Sequence, residues 1–138
     1  MAYVSLDSQQ IKRANKKHKY TKEQVEQLEK CMDKKTGPLF FMKTFMKIQH
    51  PTKGEMPFEP FPYQERLIEA YNDHRFSISM LPRQTGKTTC ASGYIIWRAM
   101  FYPDSSILIA AHKYAGASDI MSRVRYAYEM LPGWIKAG

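Results

Sequence analysis

The residues best suited to chemistry lie together in Leu81-Pro82-Arg83-Gln84-Thr85-Gly86-Lys87-Thr88-Thr89. A glycine, a lysine and two hydroxyls in succession match the end of the phosphate-binding pattern G-x-x-x-x-G-K-[ST]. Backbone N–H groups of such a turn, and of the helix it opens, attract a polyphosphate. Gly86 admits a positive φ and a close approach of backbone to ligand. Lys87 would set an ammonium on the β and γ phosphates of a nucleotide such as ATP, and Thr88 would offer its hydroxyl to the accompanying Mg²⁺. Gln84, Thr85 and Thr89 complete the cradle. Leu81 stands where the pattern has its first glycine, so the start of the loop must be built differently.

Other candidates surround this string. Arg83 is either a surface arginine on a turn or a charge within reach of the γ-phosphate, the arginine-finger role supplied in cis. Tyr63-Gln64, upstream, pairs an aromatic with a carboxamide. The pair could stack on and hydrogen-bond an adenine edge, or it could be ordinary helix surface. His112-Lys113 follows an apolar run at the end where ligands bind in open α/β sheets, with a solvated loop as the plain alternative. Cys90 reads as a small packed residue and not as a nucleophile.

The elements that position these residues can be read from periodicity. Thr21 with Gln24 has the form of a capping box, so a helix is expected from Lys22 to about Lys35, with Val25, Leu28 and Met32 on one face. Gly37-Pro38 ends it, and a second apolar helix is expected from Leu39 to about Gln49. The prolines of 50–62 predict a loop. Pro62 suits the first turn of a third helix, with Tyr63, Leu67, Ile68 and Tyr71 as its apolar side. Residues 76–80 alternate apolar and polar like a strand. Residues 106–111 are nearly all apolar, like a strand buried on both faces. Helices are expected from Lys87 to about Tyr102 and from Ala115 to about Leu131. Strand, helix, strand, helix predicts a βαβα unit with parallel neighbours and a right-handed crossover.

The chain has 138 residues, with 43% hydrophobic and 25% charged. That length fits one domain with a real core. No apolar run approaches the roughly 20 residues of a membrane span, and no signal peptide is read at the N-terminus. Two cysteines, Cys31 and Cys90, make neither a disulfide framework nor a metal cluster, so free thiols in a reducing setting are expected. The net charge of +8 favours an anionic partner. It is uneven: residues 1–60 hold 12 basic and 7 acidic residues, and the rest hold 9 and 6. Lys12, Arg13, Lys16, Lys17, Lys19 and Lys22 form a run without an acid. That run is either a solvated arm or a phosphate-contacting one.

The constellation Tyr63-Gln64, Arg83-Gln84-Thr85-Gly86-Lys87-Thr88-Thr89, Ile109-Ala110-Ala111-His112-Lys113 and Met130-Leu131-Pro132 resembles the large terminase subunit of tailed myophages, the ATPase that packs viral DNA into the procapsid. The segment from Lys12-Arg13-Ala14-Asn15 through Tyr20-Thr21 and Cys31 resembles the start of the same protein. The likeness covers about residues 11–138, and the loop without a first glycine is characteristic of terminases. It implies an α/β fold: a partial P-loop NTPase, RecA-like βαβα unit preceded by a helical N-terminal region. The implied divisions are a basic arm at 1–20, a helical region and Pro-rich loop at 21–62, and the first part of the ATPase domain at 63–138.

The same resemblance implies roles. Lys87 and Thr88 would bind the triphosphate and Mg²⁺, and Arg83 would be the cis arginine. Gln64 would be the adenine-motif glutamine, with Tyr63 beside it. Glu59 falls where relatives carry a second adenine-contacting glutamine, which is a departure. His112-Lys113 would lie where nucleotide state couples to DNA. Implied partners are double-stranded DNA, the remaining large-subunit region, the portal and the small terminase subunit, in the host cytoplasm and with no membrane. Relatives continue with an apolar strand ending in Asp-Glu, then a nuclease domain. After Lys87 the only acids are Asp104, Asp119 and Glu129, and none ends an apolar run. The expectation is therefore the ATP-binding front of a larger motor. The rivals are a fragment of a helicase-type ATPase, or a non-catalytic binding protein that uses its basic arm.

Overall fold

The computed structural model describes residues 19–136. Lys12, Arg13, Lys16 and Lys17 of the basic run therefore lie outside the described residues, while Lys19 and Lys22 are exposed. The described chain is mixed helix and sheet: α1 (Lys22–Met32), α2 (Gly37–Phe45), β1 (Lys47–His50), β2 (Gly54–Pro57), α3 (Pro62–Asp73), α4 (Lys87–Phe101) and α5 (Tyr114–Glu129).

Local chemistry sets several ends. Thr21 Oγ1 accepts from the Gln24 N–H at 3.3 Å, and Gln24 Oε1 accepts from the Thr21 N–H at 3.0 Å, the reciprocal box expected at α1. Asp33 closes the turn to α2 by accepting from the N–H groups of Lys35 (2.8 Å) and Thr36 (2.9 Å). The Asp33 carboxyl is held below its usual range, chiefly by those two backbone bonds. On α1 the apolar face is only partly buried. Leu28 packs against the core, but Val25 and Met32 are exposed, and Cys31 is the residue fully enclosed.

α4 is the central element and packs against α2, α3 and α5. Its Trp97 is fully buried, and Trp97 Nε1 donates to the Cys31 carbonyl at 2.8 Å, tying the end of α1 to the middle of α4. Gly93 lets α2 come close, because a Cβ there would collide with Met42 and Met46. Phe41, Met42, Ile68 and Trp97 form the centre of the core, which extends to Val124, Leu131 and Ile135.

The sheet differs from expectation. The apolar run expected to be helical to about Gln49 leaves the helix at Phe45, and β1 begins at Lys47. Within the expected loop, Gly54–Pro57 pairs with β1 in antiparallel register, Lys47 opposite Pro57 and His50 opposite Gly54. The prolines permit this because Pro51 sits in the connecting turn and Pro57 at the strand's last position. His50 Nδ1 accepts from the N–H groups of Thr52 and Lys53, each at 3.2 Å, which closes that turn.

The strands expected at 76–80 and 106–111 form no ladder, so no parallel pair and no βαβα crossover exist among the described residues. The physical reason is partnership. Alternation and apolar runs report which side chains would be buried, but a strand needs a neighbour's N–H and C=O groups. Ile78 is 96% exposed and Leu108 is 91% exposed, so neither segment has its burying layer among the described residues. The helices at 87–102 and 115–131 do form, close to their expected ends.

Candidate phosphate site

The loop 81–86 runs directly into α4. Gln84 has φ 62° and Gly86 has φ 76°, two left-handed residues on either side of Thr85. Turns of this kind can present backbone N–H groups to an anion. Gly86 is the N-cap of α4, and no side chain caps that end. The first N–H of the helix with a partner in the usual pattern is that of Cys90, which donates to the Gly86 carbonyl at 3.0 Å. The N–H groups of Lys87, Thr88 and Thr89 precede it at the positive end of a 15-residue helix.

The loop is held from behind by α3. Tyr63 Oη donates to the Thr85 carbonyl at 2.7 Å, and Gln64 Nε2 donates to the same oxygen at 3.1 Å. Gln64 is only 6% exposed. Its other end is also engaged, since Oε1 accepts from the Phe61 N–H at 2.9 Å. One buried amide thus caps the start of α3 and braces the loop. A Cβ at position 86 would strike the Gln64 amide nitrogen, so both φ and space require glycine there. Thr85 Oγ1 donates to the Pro82 carbonyl at 3.0 Å, which rigidifies the turn, and Lys87 Nζ donates to the Leu81 carbonyl at 3.4 Å. Leu81 packs its side chain against the core, so it anchors the start of the loop where the usual pattern has glycine.

The structure therefore joins Tyr63, Gln64 and Thr85 by hydrogen bonds, with Gly86 and Lys87 next in the chain and Lys87 bonded back to Leu81. Thr88 and Thr89 are half-buried on the first turn of α4, and the Thr88 carbonyl accepts from Ser92 Oγ at 2.8 Å. Arg83 and Gln84 are exposed on the loop. Glu59, between β2 and α3, is exposed as well. His112 and Lys113 are exposed at the start of α5, and no hydrogen bond or ion pair joins them to the loop. One neighbour escaped the sequence reading. The Phe61 ring stacks on Tyr63, with centroids 5.9 Å apart and planes 6° apart, and it remains 63% exposed. Its position two residues before Tyr63, across Pro62, was the available signal.

Uncapped helix N–H groups, a left-handed glycine and a lysine lie next to one another there, an arrangement that can accept an anion such as a phosphate chain. For Mg²⁺ the loop offers the Thr88 hydroxyl, and the phosphates would supply further oxygens. Among the described residues no three His, Cys, Asp or Glu side chains cluster as metal ligands. Of the acids after Lys87, Asp119 pairs with Arg123 on α5 at 3.3 Å. Cys90 is fully buried in α4, and burial pushes its thiol up to about 11; Cys31 is pushed up to about 12 for the same reason. Both are packed thiols and not nucleophiles. No helix among the described residues is long and apolar enough to cross a membrane. No family model matches the chain.

Proposed function

We propose that residues 81–89 bind the phosphates of ATP, and that the chain is the ATP-binding part of a viral DNA-packaging motor of the terminase large-subunit type. The observation that carries the first half is the braced turn. Gly86 is left-handed at the uncapped start of α4, and its neighbour's carbonyl is fixed by Tyr63 and Gln64. The second half rests on the motif string and its resemblance to that family, and the P-loop ATPase fold is itself part of the proposal.

In this reading the loop N–H groups and Lys87 hold the β and γ phosphates, and Thr88 contributes a hydroxyl to Mg²⁺. Arg83, exposed on the loop, swings to the γ-phosphate. The exposed face of Phe61, backed by Tyr63, offers the base a stacking platform beside Gln64. Bound Mg²⁺ would neutralise phosphate charge. A carboxylate that activates water must come from outside the loop, which has none. Double-stranded DNA, the rest of a large subunit, a portal and a small subunit are the partners, in the host cytoplasm.

The test is equilibrium binding of a fluorescent ATP analogue. The wild-type chain should bind it and lose it to unlabelled ATP, while Lys87→Ala should weaken binding about tenfold or more, the loss of a charge-assisted contact. Equal binding by wild type and Lys87→Ala would refute the assignment.

A further inference from the structure

A second cleft, of about 480 Å³, opens between the β-hairpin, α4 and α5. That volume lies in the range of small-ligand pockets, roughly 300–1,000 Å³. Of residues 81–89 only Thr89 lines it, so the cleft adjoins the first turn of α4 but lies apart from the loop 81–86.

Its lining divides by chemistry. Met46, Ile48 and Ala127 supply an apolar floor. Lys47 of β1 and Arg123 of α5 are among its lining residues, as are the hydroxyl-bearing Thr89 of α4 and Ser122 of α5. No aspartate or glutamate lines it among the described residues. Two cations, hydroxyls and no acid favour an anion with hydrogen-bonding oxygens, and the apolar floor favours a carbon skeleton attached to that anion.

Each cation has an acidic partner outside the lining. Lys47 Nζ lies 2.6 Å from Glu55, and Arg123 Nε lies 3.3 Å from Asp119. All four of these side chains are well exposed. Such exposed pairs contribute little, so a phosphate can recruit either cation. Arginine's planar fork also suits phosphate oxygens.

We propose that this cleft binds a sugar-phosphate, with the phosphate on Lys47 and Arg123 and the sugar against Met46 and Ile48. The unit belongs either to a free nucleotide or to a nucleic-acid strand. The inference stands whether or not the loop binds ATP.

The test is methyl NMR on the full chain carrying Lys87→Ala, which weakens any phosphate binding at the loop. Met46, Ile48 and Ala127 are the reporters, and the probes are 2-deoxyribose 5-phosphate and a short DNA duplex. Saturable shifts at all three methyls are expected. Lys47→Gln with Arg123→Gln should weaken them about tenfold or more. Unmoved Trp97 indole signals would show that the fold is kept. Shifts with both probes would identify a strand-binding site, and shifts with the small probe alone a free-nucleotide site; either supports the proposal. Methyls unmoved by both probes, or moved equally in the double variant, would overturn it.

Discussion

Tyr63 donates its phenolic hydrogen to the carbonyl of Thr85 at 2.7 Å, across 22 positions of sequence. Gln64 donates to the same oxygen, so α3 grips the peptide unit that immediately precedes Gly86. A loop held this way has its N–H groups oriented before any ligand arrives. Preorganisation of this kind lowers the ordering cost of binding.

Gly86→Ala tests the turn itself. A left-handed φ costs a non-glycine residue about 1–2 kcal/mol, and the added methyl meets the Gln64 amide. The variant should keep its helical circular dichroism and lose about tenfold or more in ATP affinity. Unchanged affinity would mean that the left-handed turn does not shape the site.

Tyr63→Phe and Gln64→Ala separate the two donors. Tyr63→Phe leaves the Thr85 carbonyl with one donor and should cost about 0.5–1.5 kcal/mol in urea unfolding. Gln64→Ala also orphans the Phe61 N–H and opens space in a nearly closed site. Its cost should be larger, about 2–4 kcal/mol. The reverse order would contradict the brace.

The cysteines predict a pH dependence. Burial raises Cys90 from about 9 to about 11 and Cys31 to about 12. The folded protein therefore holds protons that the unfolded chain releases above about pH 9. Their contribution is complete below that pH and is lost as pH rises through the folded values. Urea midpoints should fall between about pH 9 and pH 11, and Cys90→Ala should flatten the fall. At pH 8 a thiol reagent should react only after denaturant is added. Rapid labelling of the native protein would contradict the burial.

Legibility followed the range of each interaction. The Thr21–Gln24 box, the ends of α4 and the turn at Gly86 rest on neighbours in sequence, and the residue types announce them. The pairing of β1 with β2 was not legible, because Lys47–His50 has no strong alternation and the prolines around Gly54–Pro57 read as loop. Residues 76–80 and 106–111 failed in the opposite sense. Their patterns are strand-like, but a pattern cannot name the partner that completes a ladder. Tyr63-Gln64 was legible as a candidate pair. Its grip on Thr85 was not, since that contact exists only once α3 packs on α4.

The most direct measurement is a two-dimensional amide NMR titration of the full chain with ATP and Mg²⁺. Phosphates cradled by backbone N–H groups should move the Gly86, Lys87, Thr88 and Thr89 amides together, with one saturation curve, and Lys87→Ala should shift that curve to about tenfold or more higher ATP. Amides of 86–89 that stay fixed at saturating ATP would contradict the account.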